Sequence, residues 1–401
     1  MKEGWEYKKL GEIATEMYRG SGIKRDQVTK EGTPCVRYGE IYTTYNISFD
    51  TCVSHTNIES ITSPKYFEHG DLLFAITGES VEDIGKTIAY LGDEKCLCGG
   101  DIICMKHRQN PKYLAYALST PDAIRQKGIG KTKLKVVHTN APALKAISIP
   151  LAPLPEQQSI VDYLDSAFAK IDAMKANAEK ALSEAKALFQ ASLKEMLEPK
   201  EGWEETTLED LVVSNVVGLT RGKVEQGYDK QYPYFKMNNI SPDNTLCWDD
   251  LICVDANKEE LEKYSLQEGD FLFNTRNSKE WVGKSTVYRN YYTPVMLYNN
   301  NIMRIRFVDT INSVFVAYSF LADYTKDQLE KIKSGTTNVW AIYYRDLSKI
   351  ILSYPSVTEQ QSIVETLDSL KSKVDRLQEN YNKISLECDA LKQAILRQVF
   401  E

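Results

Sequence analysis

Apolar residues recur at alternating spacings of four and three along two long stretches of this chain. The first seam runs Ile160, Leu164, Ala167, Ile171, Met174, Ala178, Ala181, Ala185, Leu188. The second runs Ile363, Leu367, Leu370, Val374, Leu377, Tyr381, Ile384, Cys388, Leu391, Ile395. A period near 3.5 held this long predicts two helices that pair with each other, because a lone surface helix seldom keeps strict heptads. No glycine or proline interrupts either run; Pro153 and Pro155 precede the first and Pro199 ends it, as helix punctuation requires. The first seam is rich in alanine where the second is bulky, and small facing large favours pairing within one chain. Pairing is expected through Ile160, Leu164, Ile171 and Leu188 on the first helix. On the second it is expected through Ile363, Leu367, Leu370, Val374, Leu377, Ile384, Leu391 and Ile395. Helices of about 40 residues span roughly 60 Å, and a pseudo-twofold relation between the halves makes them antiparallel.

Outside the seams the pattern changes to that of strands and short helices, and it does so twice. "TPCVRYGEI" (Thr33–Ile41) and "YPYFKMNNI" (Tyr232–Ile240) share a proline, apolar alternation and a basic residue in step, which predicts a strand in each half. The apolar runs "GDLLFAIT" (Gly70–Thr77) and "GDFLFNT" (Gly269–Thr275) predict a second. "KYLAYALS" (Lys112–Ser119) and "VFVAYSFL" (Val314–Leu321) carry a helix pattern. A Gly-x-Thr step, Gly130–Thr132 and Gly335–Thr337, precedes a short strand in each half, and "EGW" opens both at Glu3–Trp5 and Glu201–Trp203. Each half closes on the same hexamer, EQQSIV, at Glu156–Val161 and Glu359–Val364. A repeat of about 200 residues is far too long for a solenoid. The expected class is α+β: two pseudo-repeated mixed α/β domains joined by two long antiparallel coiled-coil helices. The expected boundaries are 1–153 and 200–355 for the domains, 154–199 and 356–401 for the helices.

The doubling disposes of one apparent nucleotide site. "SVEDIGKT" (Ser80–Thr87) ends like the phosphate loop G-x-x-x-x-G-K-[ST], but a serine stands where the first glycine must let the backbone wrap phosphate. The same near-miss recurs as "SKEWVGKS" (Ser278–Ser285). Two near-misses at matching places mark a duplication. "NPKY" (Asn110–Tyr113) evokes the N-P-P-Y motif of amino-methyltransferases; Lys112 breaks it, and Asn-Pro is an ordinary helix start. The 4 histidines form no H-E-x-x-H or similar metal frame.

Composition narrows the picture further. With 42% hydrophobic and 26% charged residues across 401 positions, the chain reads as globular and of more than one domain. No run approaches the roughly 20 apolar residues of a membrane span, and the N-terminus lacks a signal-peptide core. The 8 cysteines form no C-x-x-C pair; Cys96, Cys98 and Cys104 near His107 are read as buried thiols of a reduced, cytoplasmic protein. Net charge is −7, which argues against tight DNA binding by the chain alone. Yet residues 1–150 carry 20 Lys+Arg against 18 Asp+Glu, while residues 201–355 carry 17 against 22. A nucleic-acid face must therefore be local or completed by a basic partner.

The order of domain, "PLPEQQSIV" helix, domain, "EQQSIV" helix resembles the specificity (S, HsdS) subunit of type I restriction–modification systems. The resemblance spans essentially the whole chain; one departure is that "PSVTEQQ" lacks the prolines of "APLPEQQ". It implies that each domain is a target recognition domain reading one half of a split double-stranded DNA sequence. It further implies that the helices space the halves and dock two methyltransferase (M) subunits, with translocase/nuclease (R) subunits joining for cleavage. S-adenosylmethionine and ATP/Mg would then be bound by partners, and this chain would be non-catalytic, with neither metal nor cofactor of its own. Apart from the resemblance, two classes stay open: a DNA-reading scaffold, or a stand-alone enzyme or coiled-coil interaction module unrelated to DNA.

Candidate DNA contacts are polar and basic side chains in the matching loops. Arg19, Lys24 and Arg25 lie in "YRGSGIKR", and Arg221 and Lys223 in its counterpart "GLTRGK". Arg37, and Lys236 with Asn238 and Asn239, follow the paired strand. Lys86 and Lys284 sit either on a tight turn or against phosphate. Arg276 and Asn277 suit bidentate contact with guanine and adenine edges. Lys131 and Lys133 in "GKTKLK", and Thr336, Thr337 and Asn338 in "SGTTNVW", add charge and small donors.

Overall fold

The computed structural model describes residues 4–130, 136–243, 245–289, 295–335 and 338–401. The chain divides into two compact units: residues 1–179 with 381–401, and residues 180–380. Each long helix is therefore shared, its first and last halves serving different units.

In the first unit a five-stranded sheet runs in the order Glu16–Arg19, Ile102–Lys106, Leu72–Ala75, Thr87–Tyr90, Ser48–Phe49. Its middle strand is buried along its whole length, which is why the sequence there is a continuous apolar run rather than an alternation. A second five-stranded sheet holds Thr33–Val36 and Cys96–Cys98. The second unit repeats the plan with four strands in each sheet: Val212–Val217, Ile302–Phe307, Phe271–Asn274, Ser285–Val287 in the first, and Tyr232–Phe235 inside the other. In both, a two-stranded ladder ties the start of the repeat to the strand before the long helix: Glu6–Lys9 with Ser148–Leu151, Glu204–Thr207 with Ile351–Tyr354. Cys98 and Cys104 are buried, and burial pushes both thiols up. Burial also holds the His107 imidazole down at about 4. Among the described residues no three His, Cys, Asp or Glu gather as a metal site.

The repeated hexamer has a structural reason. Gln157 is fully buried at the first turn of the helix Leu154–Leu197. Its Oε1 accepts from the Asn110 backbone N–H at 2.9 Å, and its Nε2 donates to Gln109 Oε1 at 2.8 Å and to the Ala152 carbonyl at 2.7 Å. Gln360 does the same in the helix Val357–Phe400, accepting from Asn312 N–H at 2.8 Å and donating to the carbonyls of Pro355 at 2.9 Å and Thr310 at 3.1 Å. Asn110 and Asn312 are themselves the N-caps of the helices Pro111–Ala117 and Ser313–Ser319. A buried glutamine thus fastens each long helix to the capped end of a domain helix, where unpaired donors would be costly. Four residues past the hexamer an aspartate accepts from a tyrosine hydroxyl in each unit, Asp165 from Tyr116 and Asp368 from Tyr318, both at 2.7 Å. Both long helices have 44 residues and start at equivalent positions, despite the missing prolines of the second approach.

The long helices pair antiparallel. In the first unit Lys175 meets Asp389 at 3.8 Å and Lys392 bonds Asp172; in the second, Lys186 Nζ donates to Gln378 Oε1 at 2.7 Å. Leu164, Ile171, Ile363, Leu367 and Val374 are buried, and Ile160, Leu370, Leu377, Ile384 and Ile395 half-buried. Two expected positions are corrected: Leu188 is 58% exposed and Leu391 47% exposed. The buried line on the first helix is Leu164, Phe168, Ile171, Leu182, Phe189, Leu193, so alternate positions lie one residue later than expected. The intervening heptad position is Lys175, whose stem is half-buried while its amine reaches Asp389. On the second helix the line passes to Leu396 and Phe400, as a straight helix drifts about 20° per heptad. Phe400 ends in the first unit's core, its ring 5.3 Å from that of Tyr113 and 6.3 Å from that of Trp5.

Candidate nucleic-acid interface

One edge of the central sheet follows the same backbone plan in the two units. The strand Glu16–Arg19 ends on Gly20, whose N–H donates to the Ile102 carbonyl at 3.0 Å; Val212–Val217 ends on Gly218, whose N–H donates to the Ile302 carbonyl at 3.0 Å. A Cβ on Gly20 would stand 2.2 Å from the Gly99 carbonyl, and one on Gly218 2.3 Å from the Tyr298 carbonyl, so only glycine fits this crossing. Alongside, Ile76 N–H donates to the Asp101 carbonyl and Thr275 N–H to the Asn301 carbonyl. A short ladder completes the edge: Thr77 opposite His138 in the first unit, Arg276 opposite Ala341 in the second. Equal backbone positions therefore carry different side chains.

In the second unit this edge is concave. Asn215, Thr220, Arg276, Asn300, Tyr343 and Tyr344 are among the residues lining a cleft of about 330 Å³. Arg276 is exposed, and no carboxylate among the described residues pairs with it. In the first unit Arg19, at the position of Val217, crosses the same ground: its Nη2 donates to Asp101 at 2.7 Å and its Nε to the Gly100 carbonyl.

The remaining candidates sort by whether their polar groups are already engaged. Arg25 and Lys223 are exposed at the starts of matching single-turn helices, Arg25–Gln27 and Lys223–Glu225, and Lys24 is the exposed N-cap of the first. Asn238 and Asn338 are exposed as well. Arg37 is half-buried with its Nε 3.4 Å from Glu40, and Lys236 donates to Gln226 at 3.2 Å. Five others have their polar groups engaged within their own domain. Arg221 is held by Glu260 at 2.7 Å and by the Asp255 carbonyl at 3.0 Å. Asn239 is buried, donating to the Cys247 carbonyl at 3.1 Å. Asn277 donates to Asn274 at 3.0 Å and accepts from Ser278 N–H at 2.9 Å, fixing its own loop. The paired lysines also turn inward. Lys86 Nζ donates to the Tyr45 carbonyl at 3.0 Å, closing the end of the helix Tyr38–Thr43, and Lys284 Nζ donates to the carbonyls of Met237, at 2.8 Å, and Ile240. Burial lowers the pKa of both amines. Their glycines, Gly85 at φ +72° and Gly283 at φ +96°, make the turn that aims each lysine back at the domain. Lys131, Lys133, Thr336 and Thr337 lie outside the described residues.

The profile of the type I restriction modification DNA specificity domain matches residues 2–183 and again 200–386. The chain belongs to that family. Among specificity-family relatives, the EcoKI specificity subunit of Escherichia coli is 22% identical across 100% of this chain and 89% of its own. The StySPI specificity subunit of Salmonella potsdam is 21% identical over the same shares, 100% and 89%. The HsdS subunit from Thermoanaerobacter tengcongensis shares the fold with TM-score 0.57 and 17% identity, covering 100% of this chain and 97% of that one. A chain from a type I R-M system solved for its complex assembly and conformational transition matches with TM-score 0.75 at 19% identity, covering 99% and 98%. His138, Thr77, Asn300, Tyr343 and Tyr344 of this specificity chain were not singled out by sequence reasoning. Alignment of the two halves along the glycine edge is the signal that finds them.

Proposed function

We propose that this chain is the DNA-reading subunit of a type I restriction–modification complex. Each repeat recognises one half of a bipartite double-stranded DNA target. The observation that carries this reading is the duplicated glycine edge: one backbone frame, built twice, bearing different polar side chains at equal positions. Two readers of two unlike half-sites need that combination, with phosphate contacts giving position and base contacts giving specificity. Arg25 and Lys223, on matching exposed turns, suit phosphate; Arg276 suits a guanine edge. The paired helices set the gap between half-sites and offer their exposed faces, Leu188 and Leu391 included, to two M subunits. R subunits complete the restricting complex. Methyl transfer from S-adenosylmethionine and ATP/Mg-driven work belong to those partners, in the cytoplasm. The excess of acidic residues in residues 201–355, 22 against 17 basic, is the reason to expect weak DNA binding by the chain alone.

Transfer of labelled methyl groups to plasmid DNA tests the assignment. The purified chain with S-adenosylmethionine transfers none, and adding its M subunits gives saturable transfer to a limited set of sites. Transfer by the chain alone, or by M subunits equally without it, contradicts the proposal.

A further inference from the structure

We infer that Thr77 and His138 form the base-reading pair of the first half-site, at the ladder rung that Arg276 holds in the second. The inference rests on the DNA-reading assignment above and adds to it the residues that read and how they differ between repeats.

The backbone equivalence is fixed by matching hydrogen bonds on every side of the rung. Gly85 N–H donates to the Ala75 carbonyl at 2.9 Å and Gly283 N–H to the Asn274 carbonyl at 3.0 Å. One residue on, Thr139 N–H donates to the Ile76 carbonyl at 2.9 Å and Ile342 N–H to the Thr275 carbonyl at 3.0 Å. Thr77–His138 and Arg276–Ala341 are therefore the same rung. Across it, one long polar side chain faces one small side chain, but the strands exchange roles. Repeat one places the long side chain, His138, on the returning strand; repeat two places it, Arg276, on the outgoing strand.

His138 is oriented for such a role. Val137 and Thr139 on either side are buried, and His138 is exposed between them, as strand alternation requires. Its Nδ1 lies 3.1 Å from Thr77 Oγ1. That bond engages Nδ1 of this exposed side chain and leaves Nε2 outside it. An imidazole held this way makes a single hydrogen bond to a base edge, where the Arg276 fork makes two. The two half-sites are thus read at this rung with different strictness.

Methylation mapping by long-read sequencing, in cells carrying the chain with its M subunits, tests this with four variants. His138→Ala lowers discrimination at one base pair of half-site one by roughly three- to tenfold and leaves half-site two as in the wild type. Thr77→Val does so more weakly, and Thr77→Ser, which keeps the hydroxyl, does not. Arg276→Ala relaxes one position of half-site two by roughly 5- to 100-fold and spares half-site one. An unaltered half-site one in His138→Ala overturns the inference while the DNA-reading assignment stands. Loss of both half-sites in a variant with wild-type thermal stability overturns it too. Wild-type cells lacking any two-part motif would sink the assignment on which it rests.

Discussion

Replacing Gln360 by alanine removes the fastening between the second long helix and its domain. Gln360 is fully buried; it accepts from Asn312 N–H at 2.8 Å and donates to the carbonyls of Pro355 at 2.9 Å and Thr310 at 3.1 Å. Truncation leaves a buried N–H without its acceptor, which costs about 1–3 kcal/mol. Lost packing of the side-chain stem adds about 1 kcal/mol per methylene-sized group. The sum is roughly 2–4 kcal/mol. In a unit of about 200 residues each kcal/mol lowers the melting temperature by about 2–4 °C, so a fall of roughly 4–16 °C follows. Gln360→Glu separates hydrogen bonding from volume. The carboxylate still accepts from Asn312, but it faces two carbonyl oxygens with no donor and destabilises at least as much as alanine. Gln361→Ala, one residue along on the exposed side, stays within about 0.5 kcal/mol. Differential scanning fluorimetry of the four proteins decides the matter. Equal melting temperatures for the Gln360 and Gln361 variants would refute the fastening.

Three further outcomes are expected. Phe189→Ala costs about 3–5 kcal/mol as a buried aromatic while its neighbour Leu188→Ala costs about 0.5 kcal/mol or less; the reverse order in urea melts restores the first seam phase. Burial holds the Lys127 ammonium at about 7 against an ordinary 10.5, with Nζ donating to Thr87 Oγ1 at 3.1 Å and the Leu118 carbonyl at 2.8 Å. Between pH 7 and 10.5 the unfolded chain therefore keeps a proton that the folded unit has released, so stability rises with pH across that window. Lys127→Met abolishes the rise in urea midpoints, and an unchanged slope contradicts the protonation account. Lys284→Met lowers stability by about 1.5–3 kcal/mol but leaves the salt dependence of DNA binding by the assembled complex unaltered, whereas losing a phosphate contact would reduce its slope by about 1.

The repeat, the buried apolar strands and the long helices were legible because each rests on a repeated pattern. Their finer placement was not. Met174 is apolar and fits a strict 4,3 count, yet Lys175 occupies that seam position, because a lysine stem packs while its amine reaches Asp389. One such substitution hides the phase, and Leu188 beside Phe189 completes the slip. The identity of EQQSIV was visible, but its cause lies in contacts about 48 residues away, between Gln157 and Asn110 and between Gln360 and Asn312, which no local pattern encodes. Lys86 and Lys284 look like surface charge in sequence; only the left-handed glycine before each one turns the amine inward. His138 escaped because it follows Gly130 by 8 positions while Ala341 follows Gly335 by 6, so the two rungs fall out of step in a linear alignment.

Mapping methylated bases across the genome of cells that carry the wild-type chain with its M subunits tests the central claim most directly. If each repeat reads its own half, every methylated site contains two short, unlike, fixed sequences separated by an unread gap of constant length. Methylation at a single uninterrupted motif, or at two fixed sequences whose spacing varies from site to site, would contradict the account.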